Sequence, residues 1–407
     1  MGAAATAASI FLAFTPTTVA DYARDAGPSL HPLINGNVSA AFAHQPAMGW
    51  FAILFRAPVV FFARHASTLV EYRVGTVPCL LVAAALGIWL ASRMRGRGAS
   101  LLAAALVVAL AVLGPMNWHA VADGHPEEIL GGALCVAAVL VAASGRSPLA
   151  AGLVLGLAVG TKQWGVLAAG PALLAAPRGR AQIAAAAVAV GGAVFVLPEI
   201  VGSHHVLSST NALSHASTSA QPASIWWPLG HVQHILAPGW AVEKRTVPLW
   251  VRNYAHPLIV AIGVLLPLLV LVRTRLAPAT RETALTLLAL LFLLRCALDP
   301  MTVGYYHVPL LLALLALEAL HRRGVPLLTL ISSAVLWVLV ARIPWGLEPG
   351  RVATIYLAWA IPLALYLAAK VYAPTVMSSL GKWLSTSLPS SLTTTRSSIR
   401  TPNAPGT

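Results

Sequence analysis

Charge is what this chain has least of. Of its 407 residues only 9% are Asp, Glu, Lys or Arg, and 58% are hydrophobic, whereas a soluble domain carries about 25% charged residues. That scarcity excludes an ordinary soluble globule and places the chain among multi-span membrane proteins, for which domain counting by length does not apply. Cysteine is scarcer still. Cys79, Cys135 and Cys296 are the only three and all lie within apolar runs; they are read as buried thiols, with no disulfide framework and no metal spacing. Acids number 12 against 26 basic residues. The positive excess does not imply nucleic acid, because the basic residues sit in short clusters between apolar spans, as topology signals do. No Lys or Arg precedes the first apolar run, so Val19-Ala20 is not read as a leader cleavage site and an uncleaved first span is expected. Met1-Gly2 with Thr6 fits a myristoylation pattern and Asn37-Val38-Ser39 a glycosylation sequon, but both are short enough to arise by chance.

What is present is a succession of apolar runs near the length of roughly 20 residues that a span needs. They cover 2–20, 74–92, 99–116, 129–143, 181–200, 257–272, 284–297, 303–320, 326–341 and 352–372. The run 50–62 is short and interrupted by Arg56 and Pro58, so it is read as a helix lying at the interface. The run 149–176 divides at Thr161-Lys162-Gln163 and is read as a hairpin of two short helices with Lys162 at the tip. The expected fold is an all-α polytopic integral membrane protein, a bundle of about 10–12 transmembrane helices over 1–373. The Ser/Thr/Pro-rich stretch 374–407 reads as a disordered cytoplasmic tail.

Basic residues fix the expected orientation. Arg93, Arg95 and Arg97, Arg146, Arg178 and Arg180, Arg273, Arg275 and Arg281, Arg322 and Arg323 all fall in tight turns on one side. The positive-inside rule makes that side cytoplasmic. The longer loops 21–49, 117–128, 202–254, 298–304 and 342–350 then lie outside, and ten of the 12 acids, all but Glu282 and Glu318, fall on that side or near it. Loops carried by a rigid scaffold are where function concentrates, so an outward-facing site in a bacterial-type plasma membrane is expected.

Four polar constellations stand out. Asp21 and Asp25 follow the first run; either they are a solvated helix end or one supplies a carboxylate general base. His125, Glu127 and Glu128 open a span, where acids suit the helix dipole; HPEE lacks the second histidine of a zinc-protease motif. Lys162, with Gln163 and Trp164 behind it, is a cation deep in an apolar region, where such residues face a partner or a cavity by default. Arg295, Asp299, Tyr305, Tyr306 and His307 gather at one outer boundary, with Arg295 either paired to Asp299 at i+4 or held for an anion. The tryptophans Trp226, Trp227, Trp240 and Trp250 of the long loop read equally as sugar-stacking or as interfacial residues.

The block GHPEEILGGAL, SGR and AGLVLGLAVGTKQWGVLAAGP resembles the signature region of the glycosyltransferase 87 family of membrane proteins, and YYHVPLLLALLALEAL resembles that family's aromatic-rich outer boundary. The resemblance is specific over 114–177 and, less so, 295–320. It implies a GT-C fold, similarity to polyprenol-phosphate-mannose-dependent mannosyltransferases, an outward-facing site and a catalytic Asp in the first outer loop. Carried over, that Asp is Asp21 or Asp25. Lys162 and Arg295 become candidates for the donor phosphate, and Tyr306 and His307 for the pocket wall. His125, Glu127, Glu128 and Gln163 complete the substrate-binding candidates. The first loop departs from the family pattern, with no Asp-aromatic-Tyr run beyond Asp21-Tyr22. The implied activity is inverting transfer of a hexose, mannose being the family's sugar, from a polyprenyl-phosphate donor to a lipid or glycan acceptor. No metal or other cofactor is expected, and the other partners are membrane lipids. The competing reading is a multi-span transporter or flippase of a lipid-linked or polar substrate; the lack of a clear internal repeat counts against it.

Overall fold

The computed structural model describes residues 1–44, 46, 48–201, 217–237, 240–342 and 347–375. Among these the chain is predominantly helical, and six helices are long and apolar enough to cross a membrane: Thr68–Arg95, Leu101–Ala122, Glu127–Ser144, Leu249–Arg273, Gly304–His321 and Pro349–Tyr372. Shorter apolar helices accompany them, among them Gly2–Ala13, Trp50–Phe61, Pro148–Thr161 and Leu327–Val340. Their boundaries follow local chemistry. Ser100, Ser147 and Thr280 cap helix starts by accepting the amides of Ala103, Ala150 and Thr283, and Gly145 closes Glu127–Ser144 in the left-handed conformation, φ 62°. Two helices are buried nearly all round, Arg281–Leu298 and Val308–His321, and form the centre of the bundle.

The sequence reading differs from the structure at several points. The first apolar run is helical only over Gly2–Ala13; 12 residues rise about 18 Å, well short of a ~30 Å hydrocarbon core. Trp50–Phe61 is helical as expected and has two faces: one packs against Thr68–Arg95 and buries Arg56 completely, while Leu54, Val59 and Phe61 are exposed. Arg56 Nε donates to the Ala52 carbonyl at 3.1 Å and its Nη2 meets Met48 Sδ at 2.7 Å. The loop 117–128 shrinks to four residues, because Pro115–Ala122 continues as helix. The long loop 202–254 is not wholly irregular; it holds a three-stranded antiparallel sheet in which Trp240–Thr246 lies between Ser219–Ala220 and His231–Ala237. Trp226 and Trp227 are buried beside it, and Trp226 Nε1 donates to the Leu298 carbonyl at 2.6 Å, so these two rings pack the loop onto the bundle. The expected tail falls outside the described residues from 376 onward.

The 149–176 run is a hairpin. Helix Pro148–Thr161 stops at Lys162, whose backbone is extended at φ −153°, ψ 137°. The chain then returns as Gln163–Ala168 and Ala169–Ala175. At the turn Gly165 presses on the Ala158 backbone, where a Cβ would lie 2.6 Å from the Ala158 carbonyl oxygen. At the open end Arg178 donates to the Gly145 carbonyl at 3.1 Å, so both legs begin at one level. The loops segregate to two ends as well. Arg97 donates to the Ala319 and Leu320 carbonyls, Arg180 to Leu276 and Lys370 to Glu282, which gathers the basic turns together. Glu318, at that same end, accepts the amides of Leu328 and Thr329 at 2.9 and 2.8 Å and caps Leu327–Arg342. At the opposite end Asp21 meets the 123–125 turn, Gly49 donates to Thr161, and Gln221 donates to Pro300.

Candidate functional site

At that second end lies a cavity of about 840 Å³, lined by Glu128, Lys162, Gln163, Trp164, Asn253, His256, Arg295, Asp299 and Tyr306 with the apolar edges Met48, Gly49 and Phe195. Below it runs an apolar groove of about 510 Å³ between the returning leg of the hairpin and helices Arg180–Val201 and Leu249–Arg273. Val166, Leu167 and Val260 line both spaces, so the polar chamber and the apolar groove adjoin. Four sequence-derived candidates other than Glu128 and Gln163 were expected at a pocket wall or phosphate. Lys162, Arg295 and Tyr306 are there; His307 is not. Its Nε2 lies 3.0 Å from the Tyr356 hydroxyl and its Nδ1 3.1 Å from the Gly304 carbonyl. It is buried in helix packing, 1% exposed.

The charged side chains form a ladder of alternating sign. Asp21 Oδ2 lies 3.4 Å from His125 Nε2, and His125 Nδ1 lies 2.9 Å from Glu127 Oε1. Lys162 Nζ reaches Glu127 at 3.3 Å and Glu128 at 3.5 Å, and Glu128 Oε2 is 3.9 Å from Arg295 Nη1. Glu127 and Glu128 are fully buried, and neighbouring helical positions point about 100° apart, which lets one lysine bridge both. Trp164 Nε1 also donates to Glu128, at 3.3 Å. Its ring fits because position 131 is glycine; a Cβ there would be 3.1 Å from the ring. The guanidinium of Arg295 lies between the rings of Trp164 and Tyr306, 5.0 and 4.3 Å from their centroids, and donates to the Tyr306 carbonyl at 3.1 Å. Both rings are close enough for cation–π attraction to the guanidinium.

Asp21 and Asp25 occupy the outer end of the ladder and are not among the residues lining the cavity. His125 and Glu127 stand between them and Lys162. Arg24 spans both aspartates at 3.0 and 3.1 Å. Asp21, Asp25 and His125 present ligand atoms within 4.8 Å of one another, donor types that suit a divalent cation, but the guanidinium already meets that charge. Burial alone would lower the His125 pKa; the carboxylate of Glu127 outweighs it and the net direction is up. The ring is 4.4 Å from that of Tyr305 in a stacked arrangement.

One glycine makes the outer end possible. Gly124 has φ +94°, and a Cβ on it would lie 2.7 Å from the Tyr22 amide nitrogen and 3.1 Å from that of Asp21. Asp21 N–H donates to the Asp123 carbonyl at 3.3 Å across this contact. Gly124→Ala is therefore expected to destabilise the protein by about 1–3 kcal/mol through the left-handed backbone alone, with a further loss from parting the two segments. The midpoint of thermal unfolding in detergent checks this, and a wild-type midpoint would contradict it.

Sequence reasoning missed Asn253 and His256, which sit one turn apart on Leu249–Arg273 and line the cavity. The signal available was a polar face, Asn253 and His256, at helical spacing just before an apolar run. Arg56 was read only as an interruption of the run 50–62, and its complete burial was not anticipated, although a cation inside an apolar helix was the warning. No protein-family model, curated protein or solved structure matches this chain.

Proposed function

We propose that this protein is a membrane-embedded glycosyltransferase. It moves a hexose, with mannose as the first expectation, from a polyprenyl-phosphate donor to a lipid or glycan acceptor at the outer face of a bacterial-type plasma membrane, with inversion. The observation that carries this reading is the junction of a polar chamber with an apolar groove through Val166, Leu167 and Val260. Such a pair suits a ligand with a charged, hydroxyl-rich head and a long hydrocarbon tail. The sequence resemblance to the glycosyltransferase 87 family, which implies a GT-C fold, points the same way. Chemically, departure of the lipid phosphate leaves an anion, which a preorganised guanidinium stabilises as charge develops; Arg295 has that geometry. Lys162 is less suited, because Glu127 and Glu128 already neutralise it.

The test is transfer of radiolabelled sugar from polyprenyl-phosphate donors into a membrane lipid extract by purified protein. Labelled product with loss of donor supports the reading. A second reading, a proton-coupled transporter or flippase, is favoured by the ladder itself, since it runs from exposed Asp21 to the cavity and intramembrane chains of ionisable groups serve as proton relays. Passage of the lipid-linked or polar substrate across proteoliposomes, with no sugar transferred, would favour that alternative.

A further inference from the structure

We propose that Asp299, paired with His256, is the proton acceptor for the incoming hydroxyl, in place of the aspartates of the first outer loop; this rests on the glycosyltransferase reading. A general base must lie within hydrogen-bond reach of the proton it removes, so it must face the chamber that holds the sugar. Among the described residues two carboxylates line that chamber, Glu128 and Asp299. Glu128 is held by Trp164, Lys162 and Arg295. Asp299 differs. Its Oδ1 accepts the Met301 amide at 2.9 Å, which fixes the carboxylate, while Oδ2 lies 3.7 Å from His256 Nε2.

The placement of Asp299 is also unfavourable for purely structural purposes. It follows the last residue of Arg281–Leu298, against the negative end of the helix dipole, where an acid is normally disfavoured. Burial raises its pKa, but His256 and Arg295 more than offset this and the net direction is down, so the group is ionised and able to accept a proton at neutral pH. Asp21 and Asp25 face Arg24 and His125 instead.

The step balances within the site. The acceptor O–H proton passes to Asp299 Oδ2 as the acceptor oxygen bonds to the anomeric carbon. The bond from that carbon to the phosphate oxygen breaks, and its electron pair leaves with the polyprenyl phosphate beside Arg295. His256 holds Asp299 and tunes its basicity.

The experiment compares Asp299→Asn, Asp21→Asn, Asp25→Asn and His256→Gln in purified full-length protein, using the polyprenyl-phosphate sugar and a lipid acceptor. Asp299→Asn is expected to lower kcat by about 10²–10⁴-fold with the donor KM near wild type, while Asp21→Asn and Asp25→Asn keep most of their turnover. In wild type, activity falls as pH drops and Asp299 protonates. The charged and titratable neighbours of Asp299 are His256, Arg295, Tyr306 and Cys296. Removing the one partner His256 raises the Asp299 pKa, so the acid limb of the kcat profile moves to higher pH in His256→Gln. Near-normal kcat in Asp299→Asn overturns the proposal, as does loss of turnover in Asp21→Asn or Asp25→Asn with binding intact. Should Asp299→Asn fail to bind donor, an unmoved acid limb in His256→Gln overturns it. Wild-type protein that transfers no sugar would refute the glycosyltransferase reading itself, a result distinct from any of these.

Discussion

Lys162→Ala is expected to unfold the site rather than merely weaken a ligand. The ammonium lies between Glu127 and Glu128 at 3.3 and 3.5 Å, with the lysine side chain 13% exposed and both glutamates 0%. Removing one partner of a buried pair leaves uncompensated charge, a loss of about 3–5 kcal/mol. Glu127 keeps His125 at 2.9 Å and Glu128 keeps Trp164 at 3.3 Å and Arg295 at 3.9 Å, which places this variant toward the lower end of that range. Lys162→Arg keeps the charge and recovers part of the stability, limited by the different shape of the guanidinium. Lys162→Met combined with Glu127→Gln removes opposite charges together and is expected to be more stable than Lys162→Ala. Unfolding midpoints of the three variants in one detergent decide the matter. If Lys162→Ala melts with wild type and only donor affinity falls, the lysine is a phosphate ligand and its pairing with the glutamates is incidental.

Arg295 carries the second large effect. On the proposed glycosyltransferase function, kcat in Arg295→Ala is expected to fall about 10²–10³-fold, the typical loss when one preorganised donor to a developing anion is removed. Arg295→Lys is expected to recover little of this. The guanidinium lies within 5.0 Å of both the Trp164 and Tyr306 ring centroids, and an ammonium has neither planar faces for such rings nor the forked donors to grip a phosphate. Donor-lipid titration separates ground-state binding from the chemical step. Equal losses in kcat and kcat/KM locate the interaction in the transition state, whereas a raised KM alone makes Arg295 a uniform binding residue. Wild-type turnover in Arg295→Ala would remove it from the mechanism.

Membrane character was legible because lipid imposes composition: spans exclude charge, and the polar remainder collects in loops and turns. The hairpin with Lys162 at its tip was legible for the same reason, since a lone cation between two apolar halves, flanked by Arg146, Arg178 and Arg180, leaves few placements. Glu128 was found in a polar cluster opening a span, Arg295 and Tyr306 in a second cluster at one outer boundary, and all three line the cavity. His307 had the same signature but is satisfied inside the bundle by Tyr356, and a local sequence cannot tell a polar group bonded across helices from one facing a cavity.

The amino-acid sequence by itself determined that the chain lives in a membrane and where most of its helices lie, though not their ends, since the run 257–272 became Leu249–Arg273 and the run 2–20 only Gly2–Ala13, and that its acids concentrate apart from its basic turns. Those properties follow from solvation and helix chemistry along contiguous stretches. Only the tertiary structure decided partners. It joined Asp21 to His125 across 104 residues and gave Lys162 to two glutamates. It also buried Arg56 and set His256 against Asp299. Which charges meet depends on which helix ends adjoin, and that is set by backbone approach at positions such as Gly49, Gly124 and Gly131, where the missing side chain lets distant segments come into contact.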